Sequence, residues 1–405
     1  MLGLLLVLLF TALFALVAKR MAMTVVTAPM VFLALGFVLS KTGLFPEDGA
    51  AHVLHLSAEI TLLVLLFLDA AQIDLSNLRK HHVWPVRMLL FGLPIAIALG
   101  FLTALLFLPT WPIAGVALLA ALLAPTDAAL GQAVVANPLV PLRSRQTLTV
   151  ESGLNDGLAL PLILLFTSLA AHSTQNSDPN WLLFAAKQLV LGPLVGVLVG
   201  VIGGKLMVIA QEHELTSETF EGVGALCLAA VAYLGATLIG GNGFISAFAA
   251  GLGFGYAVRG RCRFVYEFIE SEGQFLTWGT FFLVGLALLP DAVAGLTPTY
   301  VGIIAVSLFV VRPLAIWISL IGTDAPPITR LFFGWFGPRG LATVLFALLV
   351  VPQVSPTLAN SILIIAVNAV WISALLHGLS AVPGSKWYAK QLNRDTVPEP
   401  SVDND

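Results

Sequence analysis

Residues 2–17 read LGLLLVLLFTALFALV, a run with no charge, no proline and no alternation of apolar with polar side chains, followed by Lys19 and Arg20. A helix built from it is apolar on every face, which suits lipid rather than one side of a soluble core. The absence of a period-2 pattern sets aside the strands of a membrane barrel. Comparable runs recur along the chain. Only helices and closed barrels satisfy every backbone group inside a bilayer, so the fold class is an all-α integral membrane bundle.

The whole composition points the same way. The 405 residues are 58% hydrophobic and 10% charged, with a mean hydropathy of +0.97. That is more apolar matter than a soluble core of this length hides. Net charge is −3 and the basic residues are scattered through short loops. No nucleic-acid partner fits that pattern, and the lipid bilayer is the expected surrounding. Cys227 and Cys262 give no ground for pairing and lack metal-ligand spacing, and no cofactor is expected. The first segment lacks a charged leader and a small-residue cleavage site, so it is read as a retained helix.

Apolar runs between turn signals mark about thirteen spans. They lie near 2–18, 24–40, 57–73, 84–108, 111–137, 146–170, 181–209, 219–239, 241–258, 273–290, 297–321, 328–351 and 357–380. With the N-terminus outside, the inner loops collect Lys19, Arg20, Arg79, Lys80, Arg87, Arg143, Arg145, Lys205, Arg259, Arg261, Arg263, Arg330 and the basic residues after Lys386. The outer side holds Lys41 and Lys187. This asymmetry predicts a C-terminus in the cytoplasm and residence in the inner (plasma) membrane. Of the 19 basic residues, Arg312 and Arg339 remain, and both fall inside spans.

The predicted organisation is one membrane domain, 1–385, and a polar cytoplasmic tail, 386–405. The domain divides into inverted repeats of about six helices each, near 1–170 and 219–380, joined by a helix at 181–209. Each repeat carries a helix interruption in its fifth element. One is Ala124-Pro125-Thr126-Asp127, the other the stretch from Gly334 through Gly337-Pro338-Arg339-Gly340. Crossed broken helices are a sequence pointer to a transport site. Freed amides at half-helix N-termini suit Asp127 and freed carbonyls at C-termini suit Arg339, while Thr126 adds a hydroxyl and a carbonyl able to coordinate a cation. Asp127 stays open between an electrostatic role and direct ligation.

Ionised side chains at mid-bilayer require a partner or a function. In Glu151-Ser152-Gly153-Leu154-Asn155-Asp156, positions four apart differ by about 40° around a helix and positions five apart by about 140°. Ser152 and Asp156 therefore share one face, and Glu151 and Asn155 another. A carboxylate beside a hydroxyl offers the hard oxygens an alkali cation needs, which makes Asp156 the transported-ion candidate. Glu151 would repel that ion site unless paired, and Arg312 is its predicted salt-bridge partner. Asp69 is read in two ways, lining an aqueous funnel or marking a span that ends a turn early. The seven histidines include no deep pair at ligand spacing. Gly36, the Gly200–Gly204 cluster and Gly251–Gly255 read as close helix packing.

These motifs resemble the NhaP-type cation/proton antiporters, relatives of the animal sodium/proton exchangers. The carriers are Phe67-Leu68-Asp69-Ala70-Ala71, Ala124-Pro125-Thr126-Asp127-Ala128, Glu151-Ser152-Gly153-Leu154-Asn155-Asp156, Gly243-Phe244-Ile245-Ser246 and Gly337-Pro338-Arg339-Gly340. The chain departs from the pattern at Ala128, where many members carry proline. The resemblance implies a homodimer, and a transport core moving against a scaffold. It also implies alternate binding of cation and proton at Asp156, with Asn155 in the position that marks the electroneutral branch. It supports the Glu151–Arg312 pair as well. A sodium-coupled solute symporter on the same fold is the alternative. No enzyme is expected, because Asp127 and Asp156 lack the setting of an intramembrane aspartyl protease.

Overall fold

A computed structural model describes residues 2–21, 24–45, 47–73, 82–172, 181–259 and 261–396. Its elements are α1 (Leu2–Met21), α2 (Ala28–Ser40), α3 (Glu47–Ala71), α4 (Val83–Phe107), α5 (Ile113–Leu122), α6 (Ala128–Val135), α7 (Leu142–His172) and α8 (Trp181–Glu212). There follow α9 (Glu218–Leu238), α10 (Gly243–Val258), α11 (Arg263–Ala287), α12 (Leu289–Ala294), α13 (Pro298–Ser319), α14 (Pro327–Trp335), α15 (Leu341–Val350) and α16 (Pro356–Thr396). No strand occurs among the described residues. Each apolar span read from the sequence coincides with a helix or with a pair of helix halves. Among the described residues, 8 helices are long and apolar enough to cross a bilayer, and shorter apolar helices, α2, α5, α10 and α15 among them, pack with them. The protein is a multi-pass, all-α membrane protein.

Several helices overrun their apolar windows. α3 starts at Glu47 rather than near residue 57, α11 at Arg263 rather than near 273, and α16 runs to Thr396 rather than 380. Hydropathy marks only the part of a helix immersed in lipid, while the backbone ladder continues into the polar layer. The polar tail therefore does not begin at residue 386. Tyr388 lies on the overrun of α16 and is buried, its hydroxyl 2.9 Å from Ser144 Oγ and 2.8 Å from Thr329 Oγ1, its ring stacked on Phe332. Asp74, Arg79, Lys80, His81 and residues 397–405 lie outside the described residues.

Small residues bring helices into backbone contact. A Cβ at Gly36 would sit 2.1 Å from the Phe282 carbonyl of α11, and one at Gly251 2.2 Å from the Phe67 carbonyl of α3. Those distances fit only hydrogen, so α2 lies directly on α11 and α10 on α3. α4 and α13 each contain a π turn, Met88–Gly92 and Ser307–Val311, just ahead of Pro94 and Pro313. A proline ring clashes with the carbonyl one turn back, and a widened turn relieves that clash.

Candidate functional site

Pro125 and Pro338 each lie in a break and can donate no backbone hydrogen bond, so each interrupts a helical ladder. α5 stops at Leu122 and α6 begins at Ala128, and likewise α14 stops at Trp335 and α15 begins at Leu341. The two extended linkers cross. Asp127 donates its backbone N–H to the Pro338 carbonyl at 2.9 Å. Asp127 Oδ2 accepts from the Leu341 N–H at 2.8 Å, placing a carboxylate on the freed amides of α15. Arg339 is buried and donates through one guanidinium nitrogen to the carbonyls of Ala124 at 2.5 Å and Pro125 at 3.2 Å, and through the other to Ser307 Oγ at 3.3 Å. Each linker thus supplies the charge that neutralises a helix end at the other break.

Glycines make this crossing fit. A Cβ at Gly340 would lie 1.9 Å from the Asp127 carboxylate, and one at Gly337 would lie 2.4 Å from the Arg312 guanidinium. The spacing in Gly337-Pro338-Arg339-Gly340 then follows. One glycine clears Arg312, the arginine reaches the first linker, and the second glycine admits Asp127.

α7 presents its motif to this crossing. On one face, Arg312 donates to both oxygens of Glu151 at 2.7 and 3.0 Å, and both residues are buried. Asn155 donates its amide to Thr126 Oγ1 at 2.6 Å and to Glu151 at 3.4 Å, while Thr126 Oγ1 donates to Glu151 at 3.3 Å and lies 3.3 Å from Ser152 Oγ. The Thr126 hydroxyl, read from sequence as a cation ligand, is engaged in this supporting network. On the other face lies Asp156, 7% exposed, whose Oδ1 is buried and has no hydrogen-bond partner among the described residues. Asn155 Oδ1 is in the same condition.

Asp69 is drawn into the same region. Asp69 lies in the last turn of α3, which continues to Ala71. The Asp69 backbone and Cβ pack over Gly153 of α7, where a Cβ would meet the Asp69 carbonyl at 3.3 Å. Asp69, Asp127 and Glu151 are all close enough to act electrostatically on Asp156. Among the described residues no cluster of three or more His, Cys, Asp or Glu could hold a resident metal ion.

Sequence reading passed over Ser307, Ser373, Ser380 and His377. Ser373 Oγ accepts the Arg339 N–H at 2.7 Å, and His377 Nε2 donates to the Trp335 carbonyl at 2.8 Å. The available signal was a serine and a histidine one helical turn apart in an otherwise apolar stretch of α16.

A family profile described as "Sodium/hydrogen exchanger, transmembrane" matches residues 5–387. The chain belongs to the sodium/hydrogen exchanger family. Similar members of this family include the K(+)/H(+) antiporter NhaP of Alkalimonas amylolytica, 24% identical over 378 residues. That alignment covers 92% of this chain and 64% of the relative. The K(+)/H(+) antiporter NhaP2 of Shewanella baltica is 27% identical over 383 residues, covering 91% of this chain and 64% of the relative. The chain thus spans about 64% of the length of these relatives. The structure of the sodium proton antiporter MjNhaP1 from Methanocaldococcus jannaschii superposes with a TM-score of 0.78 at 21% identity, covering 96% of this chain and 99% of that one. The overall fold is therefore shared.

Proposed function

We propose that this exchanger-family chain is a secondary antiporter that trades a monovalent cation, sodium or potassium, for protons by alternating access at Asp156. The observation that carries the reading is the buried Asp156 carboxylate with an oxygen left unpartnered, at a crossing where the other charges are engaged. Glu151 holds Arg312, Asp127 caps α15, and Arg339 caps the end of α5. Ser152, one turn back on the same helix face, supplies a neighbouring hydroxyl. Asp69 lines the approach. With Glu151 engaged and Asn155 unable to titrate, one site carries either a cation or a proton, and the cycle is electroneutral.

A cavity of about 320 Å³ lies between α1, α6 and α11, with Lys19, Thr24, Gln132, Gln274 and Thr277 in its lining. The working unit is a homodimer in the inner membrane, N-terminus outside and C-terminus cytoplasmic. A solute symporter finds no comparable support. The cavity of about 800 Å³ beside α1, α2 and α16 is walled by apolar side chains such as Phe10, Met30 and Trp371.

The test is exchange in proteoliposomes. Sodium, potassium and lithium are compared for dissipating an imposed pH gradient, with Asp156→Asn alongside. The wild type should respond to at least one cation and the variant to none while remaining folded, and normal exchange in the variant overturns the assignment. Moving one charge across 100 mV is worth about 2.3 kcal/mol, so a membrane potential that by itself drives cation accumulation would overturn the one-for-one cycle and bring Asp69 in as a second carrier.

A further inference from the structure

The break between α14 and α15 is held at both ends by one helix that supplies no charge to the crossing. Ser373 and His377 stand one turn apart on the same face of α16, both buried. At the far end of the break, the Arg339 N–H donates to Ser373 Oγ at 2.7 Å. At the near end, the Trp335 carbonyl, on the last residue of α14, accepts from His377 Nε2 at 2.8 Å. Ser373 Oγ lies 3.1 Å from His377 Nδ1, which also lies 2.8 Å from the Ser373 carbonyl one turn back. The Trp335 ring stacks on the imidazole, centroids 4.9 Å apart, and donates its indole N–H to Ser380 Oγ at 2.9 Å.

A backbone N–H can only donate, so Ser373 Oγ accepts from Arg339. The carbonyl of Trp335 can only accept, so Nε2 donates to it. Nδ1 lies against both the Ser373 carbonyl and Ser373 Oγ, and these contacts join the two halves into one chain. We propose that Ser373 and His377 are positioning residues, a hydrogen-bonded clip on α16 that fixes the span of the unwound segment 336–340 and with it Arg339 and Gly340 against the first break. The inference rests on the exchange function assigned to Asp156. Neither residue touches the ion. They act by holding the Arg339 guanidinium on the Ala124 and Pro125 carbonyls and the Leu341 amide on Asp127, and Asp127 is one of the charges that act on Asp156.

The conservative variant is His377→Gln, whose amide nitrogen reaches about as far as Nε2 and can still donate to Trp335. Ser373→Ala and His377→Phe each break the chain, the second while keeping an aromatic ring against Trp335. The clip itself is read by amide hydrogen exchange of segment 336–340 in the full-length protein, which needs no transport. Exchange should speed up by about tenfold in Ser373→Ala, the scale of one buried hydrogen-bonding group left unpartnered, and stay near wild type in His377→Gln. The positioning role is read by the apparent KM for the cation and the pH profile of exchange in proteoliposomes. Both should shift in Ser373→Ala and His377→Phe and recover in His377→Gln, and the double variant should be no worse than either single one, because a single chain is broken. Unchanged hydrogen exchange in Ser373→Ala overturns the clip. Faster hydrogen exchange with wild-type KM and pH profile overturns the positioning role. If His377→Phe fails to fold, Ser373→Ala decides alone, since it removes one oxygen. A wild type without exchange would refute the antiport reading, while the hydrogen-exchange result would still decide the clip.

Discussion

Two arginine–carboxylate pairs join α7 to the stretch between Arg312 and the loop after α13, and they differ in almost nothing but water. Arg312 grips Glu151 at 2.7 and 3.0 Å, and Arg143 grips Asp324 at 2.6 and 3.1 Å. The side chains of the first pair are 5% and 2% exposed, those of the second 33% and 62%. Asp324 also accepts from the Trp84 indole at 2.7 Å, and the Arg143 guanidinium lies 3.6 Å over that ring. Contact geometry alone would rank the two as equals. Solvent does not, because a carboxylate or guanidinium that loses its partner at the surface is taken up by water, whereas one left in the core stays bare.

The largest expected effect follows directly. Glu151→Ala should cost about 3–5 kcal/mol, because it strands Arg312 in the core, and should appear as a collapse in yield or thermal midpoint. Glu151→Leu combined with Arg312→Met should regain part of that loss. If the double variant merely sums the singles, the buried pair is not coupled and the contrast with the surface pair fails. Next comes Gly337→Ala, whose methyl would press on the Arg312 guanidinium at 2.4 Å. Overpacking of this kind costs about 1–3 kcal/mol, and the penalty should shrink in an Arg312→Met background when thermal midpoints are compared.

Asp324→Asn should cost less than about 1 kcal/mol. The difference from wild type should fade as choline chloride is added, while the effect of Glu151→Ala should not. The smallest effect is the acid limb. The hydrogen bond from Arg143 holds the Asp324 carboxyl below the ordinary carboxylate range, against the opposing pull of its partial burial. A depressed folded-state pKa stabilises at pH values above the unfolded one and stops doing so as pH falls through the folded one. The gap between wild type and Asp324→Asn should therefore be constant around neutrality and close only in strong acid. A gap that closed near neutral pH would show that Arg143 does not hold the carboxylate.

The legible part of this molecule was the part set by lipid and by charge balance. Apolar runs located the helices because, with no period-2 alternation to suit a barrel, a bilayer leaves only helical backbone, and Pro125 and Pro338 located the breaks because proline removes a donor. The pairing of Glu151 with Arg312 was legible too, since neither charge could stay alone in that setting. What escaped notice was made by neutral groups. Thr126 was read as a ligand because a hydroxyl at a break looks available, but which neighbour engages it depends on how α7 is rotated against the linker. Ser373 and His377 carry no charge to balance, so nothing along the chain announces that they meet residues 335 and 339. The helix overruns at Glu47, Arg263 and Thr396 were hidden because hydropathy stops reporting where lipid stops.

The π turn of α13 has a consequence for the length of the chain. An α-helix advances about 100° per residue, so losing one residue ahead of Arg312 would ordinarily swing that guanidinium away from Glu151. Ser307–Val311 stores one surplus residue inside a single turn, between flanking α-helical segments that stay packed. Deleting Val310, a lipid-facing residue that is 50% exposed, together with Pro313→Ala to remove the ring that favours the wide turn, should tighten that turn to ordinary pitch and leave Arg312 aimed as before. The same deletion a few residues earlier, at Ile303, should misalign the rest of the helix. In this family member the helix that carries the buried arginine therefore has one place where the chain can be shortened without changing what faces Glu151.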